Sequence, residues 1–445
     1  MNRSAELFEL LACPRCDRAL EHAGDALRCS GCRAEFPTVA EVPWLFAEPA
    51  ASLDEWRGRL RLSLQRSDRD VEQLRASLAR ADLRPATRAR LARLAAATED
   101  HGKRLRALLA PLELERHSAA YATQLALRTR LPPDQGLTTY YANVHRDWAW
   151  GDEENAVSAA IVDGLIADPA PTRVLVLGSG AGRLAYDLHR RRTPATTVAL
   201  DFNPLLVLLA ERVTRGERVE LYEFPLAPRG TAEQAVLRTL AAPAAAPPGL
   251  EHVLGDAHRP PFKRGAFDLV VTPWLVDILP EPFESLAARV SSLLADGGRW
   301  INFGSLSFHD PEASARLGVD ECVAVLEETG FGAVAVEEHE IPYMCSPASR
   351  HGRRERVVAW RAAKQRDLKN VPRHYALPDW IVRGTEPVPL TESFQMQALS
   401  TRIHAFIMSL IDGRRSLKDM ARLIVEQRLM SPDEAESAVR SFLIK

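Results

Sequence analysis

Between residues 173 and 304 the chain alternates between two hydrophobic patterns. "RVLVLG" (173–178) and "TTVALD" (196–201) are short, nearly continuous apolar runs. The residues from Arg183 onward and "PLLVLLAERVTR" (204–215) instead space apolar positions along a helix face. Short continuous runs predict buried strands, and helical spacing predicts elements packed on them by one side. The rhythm continues with "FDLVVTPWLV" (267–276) as a strand, "PFESLAARVSSLLA" (282–295) as a helix and "GRWINFG" (298–304) as a strand. A further helix is predicted over "AVSAAIVDGLIAD" (156–168). Alternation of this kind predicts an α/β domain, a parallel sheet with helices on both faces. Residues 215–250, rich in Pro and Ala, are expected to loop over one edge.

The flanks read differently. In residues 50–135, Leu60, Leu64, Val71, Leu74 and Leu78 keep helical spacing, and Pro85 sits where a second helix can begin. A helical hairpin with a basic outer surface follows. Its arginines are interspersed with acids and no aromatic residues are interleaved, which fits a solvated face better than a nucleic-acid arm. Residues 370–445 predict three short helices: Asp412-Gly413 ends the first, Ser416 caps the second and Ser431-Pro432 starts the third. The expected units are therefore 1–48, 50–135, 136–364 and 370–445.

A net charge of −2 gives no global field for nucleic acid. No apolar stretch reaches the length of a membrane span, and the N-terminus lacks a signal-peptide core, so a cytoplasmic location is expected. Four of six cysteines lie in the first 32 residues: Cys13-x-x-Cys16, twelve residues, then Cys29-x-x-Cys32. Four thiolates at this spacing suit a closed, tetrahedral structural zinc site. In so small a unit the metal would supply much of the folding energy.

The strand at 173–178 runs into Gly178, Gly180 and Gly182, a turn that lets backbone approach a ligand closely. A glycine loop alone leaves a dinucleotide fingerprint open, but here the third glycine comes one residue early for it. Asp201 ends the next strand, where a carboxylate can hold two ribose hydroxyls. The third element is "EHVLGDAHRPPFKRGAFDLVV" (251–271), with Asp256 and Ala257 in a G-D-A turn. The three in order resemble class I S-adenosylmethionine (SAM) methyltransferases. That resemblance implies a Rossmann-like core with a seven-stranded, mostly parallel sheet. It also implies that the glycine loop passes the methionine part, Asp201 the ribose, and Asp256 with Ala257 the adenine.

"HRDWAWGDEEN" (145–155), "LGSGAGRLAYDLHR" (177–190), "PWLVDIL" (273–279) and "GGRWINFGSLSFH" (297–309) resemble the carnosine N-methyltransferase family, which methylates an imidazole nitrogen of a histidine-containing dipeptide. The resemblance implies cofactor contacts at Asn143 and Arg146. It implies catalytic roles for Asp277, facing the imidazole, and for His309, which also touches substrate. Tyr343 would replace one of the family's substrate tyrosines. Asp277 can equally be read as a helix cap before "DILPEPFESL". The stretch after Tyr343 departs from the family: Arg350, His351, Arg353 and Arg354 stand where tyrosines are usual. Such a cluster favours an acidic acceptor or marks a solvated turn.

The cysteine unit through "FPTVAEVPWLF" resembles the small zinc-ribbon activators of methyltransferases, with Glu41-Val42-Pro43 where those have Gly-Ile-Pro. It implies an intramolecular dock. "LIDGRRSLKDMARLI" (410–424) resembles winged-helix units that bind leader peptides, and a helical packing module fits as well. The reading is a SAM-dependent N-methyltransferase acting on an imidazole or amine of a small molecule or peptide. The alternatives are an inactive methyltransferase-like peptide- or partner-binding protein, or an RNA or protein methyltransferase. The latter would want an amide-gripping N-P-P-Y type motif where this chain has "TPWLVD".

Overall fold

In a computed structural model of the chain, the residues described are 5–116, 140–279, 281–308, 313–368, 392–427 and 429–444, with positions 385, 387, 388 and 390. The chain divides into two compact units, Met1–Leu377 and Pro378–Lys445.

The first unit begins with helix α1 (Ala5–Leu10), which leads into Cys13. Strands β1 (Leu20–Ala23), β2 (Ala26–Cys29) and β3 (Glu35–Phe36) form a small antiparallel sheet. A second hairpin, β4 (Thr38–Val39) and β5 (Val42–Leu45), turns through Ala40 and Glu41 at φ +48° and +67°. Helices α2 (Pro49–Leu78) and α3 (Pro85–Leu109) make the expected hairpin, each with proline in its first turn, where the missing N–H loses no bond. Only part of it is anchored: α2 buries Trp56, Leu60, Leu64 and Val71, and α3 buries Leu105, Leu108 and Leu109.

A short helix, α4 (Tyr141–His145), runs into a π-helical turn, Arg146–Trp150, and then α5 (Asp152–Leu165). The α/β core follows with β6 (Arg173–Leu177), α6 (Arg183–Arg192), β7 (Thr196–Asp201) and α7 (Pro204–Thr214). Asn203 caps α7, its side chain accepting from Leu205 N–H. The segment expected to loop over an edge is instead a hairpin, β8 (Val219–Glu223) with β9 (Val236–Leu240). Its short alternating runs, V-E-L-Y-E and V-L-R-T-L, were hidden by Pro- and Ala-rich flanks. The core closes with β10 (Leu250–Gly255), β11 (Phe267–Pro273), α8 (Phe283–Leu293), β12 (Leu294–Gly304), α9 (Val319–Glu328), β13 (Phe331–Tyr343) and β14 (Arg353–Lys364).

The main sheet has the order β13-β14-β12-β11-β6-β7-β10-β5-β4. Seven of its strands come from residues 173–364, parallel from β12 to β10, with β14 antiparallel to β12 and to β13. The other two come from the cysteine-bearing segment: β5 joins β10 in parallel, Trp44 opposite Leu254 and Leu45 opposite Gly255. The period-two pleat sorts side chains between faces. Leu175 and Leu177 pack with α1 and α8, while Val174 and Val176 pack with α5 and α6.

The second unit holds α10 (Glu392–Ser409), α11 (Leu417–Glu426) and α12 (Pro432–Ile444) around Ile407, Leu410, Met420, Ile424, Ala435 and Val439. Ser416 and Asp419 form a reciprocal capping box on α11. Among its described residues this unit has no strand, so its described part is helical without a wing. No helix among the described residues of either unit is long and apolar enough to cross a membrane.

Candidate functional site

Gly178, Asp201, Asp256 and Asp277 end or follow β6, β7, β10 and β11 at their carboxyl ends, where ligands bind in open α/β sheets. Gly178 shows why the loop needs glycine. It has φ +75°, and a Cβ would sit 2.8 Å from Leu275 Cδ1. Gly182, at φ +85°, would press a Cβ to 3.0 Å from Ala210 Cβ. Gly178 and Ser179 both donate to Leu200 O at 2.9 Å, fixing the loop to the end of β7. Gly180 N–H donates to Asp201 Oδ2 at 2.8 Å and Asn203 N–H to Oδ1 at 2.9 Å. Each oxygen of Asp201 is thus half satisfied and keeps a lone pair. Burial pushes its carboxyl up to about 6, against the pull of these backbone N–H groups.

Arg146 lies in the π-helical turn. Its Nε and Nη2 both reach Asp147 Oδ1 at 2.7 Å, and Nη1 lies 3.4 Å from Glu154 Oε1. Burial works against the charge, but the two carboxylates outweigh it and hold the guanidinium protonated. Five N–H donors leave it capacity for a further anion. Trp148 Nε1–H donates to Ala181 O at 2.8 Å and Arg183 Nη1 to Asp147 O at 2.6 Å, so the turn is tied to the glycine loop and α6. π-helical turns often mark functional sites. Asn143 stands three residues earlier, half-buried, on α4.

Asp256 directly follows β10. Its Oδ1 accepts from His258 N at 2.8 Å and lies 2.9 Å from His258 Nδ1. Burial would raise its carboxyl, yet the contacts with His258 hold it below the usual range. Ala257 beside it is buried.

Asp277 follows β11, two residues past the Leu275 that packs on Gly178. Its Oδ2 accepts from Ser305 Oγ at 2.6 Å and Ser307 N–H at 2.8 Å. Its Oδ1 is buried without a hydrogen-bond partner. Asp277 does not cap the following helix, which starts at Phe283 after Pro282. The competing cap reading is thereby removed. Tyr343, at the end of β13, packs its ring 4.9 Å from Trp274, which also meets Phe303 at 5.9 Å. Trp274 is held at φ +52° by its N–H bond to Phe303 O, opposite Gly304, where a Cβ would come within 2.9 Å of the Trp274 backbone. His309 lies outside the described residues.

The arginines after Tyr343 do not form a free anion site. Arg350 donates to Pro228 O at 2.6 Å and to Arg229 O, clasping the β8–β9 connection. Arg353 lies over the Tyr343 ring at 4.7 Å and pairs with Glu355, and Arg354 pairs with Glu340. The acidic-acceptor expectation loses its basis, because these guanidinium groups are engaged by their own surroundings.

The Sγ atoms of Cys13, Cys16, Cys29 and Cys32 all lie within 4.8 Å of one another. Cys13 and Cys32 are 3.7 Å apart and Cys16 and Cys29 3.4 Å, near the spacing of about 3.8 Å that tetrahedral Zn–S bonds impose. Arg15 N–H points at Cys13 Sγ, and Gly31 and Cys32 N–H at Cys29 Sγ, as thiolate ligands require. The residues present fit a metal.

Several members of the site escaped sequence reasoning. Trp148, Trp274, Ser305 and Ser307 act through contacts between distant elements. They lie in the stretches "HRDWAWGDEEN", "PWLVDIL" and "GGRWINFGSLSFH", but nothing local in those stretches assigns them a role.

Sheet order, glycine loop and the acids after successive strands define a class I methyltransferase architecture. The family model for carnosine N-methyltransferase matches residues 137–366, just over half the chain. The chain belongs to that family and is a SAM-dependent methyltransferase. Solved structures similar to it include the YcgJ protein of Bacillus subtilis, at 13% identity over 47% of this chain and 99% of that one, TM-score 0.34. Phosphoethanolamine N-methyltransferase 2 of Haemonchus contortus is similar at 15% identity over 51% and 58%, TM-score 0.33. The N-methyltransferase NodS of Bradyrhizobium japonicum is similar at 15% identity over 51% and 98%, TM-score 0.34. No curated protein matches the chain.

Proposed function

We propose that this enzyme methylates a ring nitrogen of an imidazole carried by a small molecule or peptide. The observation that carries the reading is Asp277, a fixed, buried carboxylate with one oxygen satisfied and one waiting. An imidazole N–H donated to Oδ1 fixes the tautomer, so the other ring nitrogen presents its lone pair to the cofactor. As that nitrogen gains a methyl group, the S–CH3 bond would break and leave a neutral thioether, the ring becomes positive, and its N–H acidifies. Asp277 stabilises this charge, and the N–H proton leaves along the hydrogen bond. The Trp274–Tyr343 pair offers an aromatic wall for a flat ring.

SAM, when bound, supplies a methyl group on a positively charged sulfur. In this reading Arg146, with Asn143 beside it, takes the cofactor's carboxylate. The backbone of Gly178, Gly180 and Gly182 lies under its methionine part. Asp201 accepts from the ribose hydroxyls, and Asp256 with Ala257 meets the adenine. Tyr343 and His309 belong to the acceptor side. A panel of acceptors tests the assignment: histidine-containing dipeptides should be methylated, and analogues with a thiazole or phenyl ring in place of imidazole should not. Equal turnover of a phenyl analogue through its amine would overturn it.

Cys13, Cys16, Cys29 and Cys32 would hold one structural zinc ion. Because β5 of the cysteine-bearing segment pairs with β10 in the main sheet, loss of the metal should be felt beyond the cysteine unit. Cys29→Ser is expected to lower bound zinc from one equivalent to well below half and to lower the first unit's Tm by several degrees. Metal analysis and differential scanning fluorimetry read both.

A further inference from the structure

Glu154 is a buried carboxylate with a different partner on each oxygen. Oε1 lies 3.4 Å from Arg146 Nη1, and Oε2 accepts from Met344 N–H at 2.7 Å. The first partner belongs to the turn beside the glycine loop. The second directly follows Tyr343, on a loop 190 residues further along the chain. A buried carboxylate left unpaired is strongly destabilising, so each contact constrains the other. Burial pushes the Glu154 carboxyl upward, and Arg146 and the Met344 N–H pull it back.

Met344 is itself in the left-handed region, at φ +53°, a conformation unfavourable for a residue with a side chain. The bond to Glu154 helps hold it. Tyr343 next to it packs on Trp274, which is also left-handed and stands three residues before Asp277. A continuous line of contacts therefore runs from Arg146 through Glu154 to Met344 and Tyr343, and on through Trp274 toward Asp277.

We propose that Glu154 is a positioning residue that couples the cofactor subsite at Arg146 to the acceptor wall at Tyr343, so that filling the first orders the second. The coupling rests on the assignment of Arg146 to the cofactor's carboxylate. The Arg146–Glu154 contact is longer than a good charge-assisted bond of about 2.7–2.9 Å, so it is the one an incoming anion can displace. An anion on Arg146 draws the guanidinium toward itself. Glu154 then concentrates its charge on the Met344 N–H, and the loop that presents Tyr343 tightens.

Hydrogen exchange on the full-length protein tests this, with S-adenosylhomocysteine as the probe. Its binding is expected to slow exchange at the Met344 amide at least about fivefold, the lower end of typical coupling between sites. In Glu154→Gln, which keeps an oxygen for Met344 but has no charge to redistribute, the probe should leave that exchange unchanged. A merely structural role would alter exchange with and without the probe alike. Calorimetry on the same samples separates the failures. If the probe binds the wild type and Met344 exchange does not slow, the coupling is wrong while the cofactor assignment stands. The coupling is also wrong if exchange slows equally in the variant. If the probe does not bind folded wild type, the Arg146 assignment falls and the coupling with it.

Discussion

Asp277→Asn is expected to lower kcat for an imidazole acceptor by a factor of about 10²–10³, with SAM affinity changed less than about threefold. The magnitude is that of removing one preorganised group aimed at charge that develops in the transition state. The amide can still offer its oxygen to Ser305 Oγ and Ser307 N–H, so the loop keeps its anchor. What changes is the other position. There an NH₂ group replaces a bare oxygen and meets the imidazole N–H donor to donor. The bound ring is pushed toward the wrong tautomer and loses its counter-charge together. Steady-state kinetics with calorimetry of SAM binding separates this from a folding defect, which would lower both.

The second large effect concerns Asp201. Its carboxyl is raised from 3.8 to about 6 by burial, so in the free protein it becomes charged only above that pH. The sign follows from linkage. The raised value contributes stability that is fully present below about pH 4. That stability, roughly 3 kcal/mol at about 1.4 kcal/mol per pH unit, is lost as pH rises through 6. A ribose bound through its two hydroxyls requires the charged, accepting form. SAM affinity is therefore expected to be flat above pH 7 and to fall about tenfold per unit below pH 6. In Asp201→Asn the slope should vanish, and affinity at pH 7.5 should drop about 30- to 100-fold, because hydrogen bonds to a charged group are lost. Calorimetric titrations at several pH values check both statements. A wild-type affinity independent of pH between 5 and 7.5 would contradict the assignment.

These expectations draw unequally on sequence and structure. The parts of the proposed cofactor floor were legible because they are local: a strand, a turn with glycines at positive φ, and an acid at the end of the next strand. The cysteine cluster was legible for the same reason, since four ligands within 20 residues can be read as spacing. The acceptor side was not. Asp277 could be singled out, but the cap reading could be dismissed only once α8 was seen to start at Phe283 and the carboxylate to bond Ser305 and Ser307. Arg350 looked like part of an anion site until its guanidinium was found on the carbonyls of residues 228 and 229, more than 120 positions away. Nothing in the sequence singled out Glu154, which the structure places among three acids in the first turn of α5. Its bonds to Arg146 and Met344 depend on how the β13–β14 loop folds back, which no local pattern records. Likewise, nothing in "VPWL" shows that this strand extends the sheet beside the strand that carries Asp256 at its end.

The atom that receives the methyl group distinguishes an imidazole acceptor from an amine acceptor. The protein is incubated with SAM carrying a ¹³C-labelled methyl group and with carnosine, and the product is examined by NMR. The label is expected on an imidazole nitrogen, with turnover falling at least about a hundredfold in Asp277→Asn. A label on the terminal amine, or imidazole methylation undiminished in the variant, would contradict that expectation.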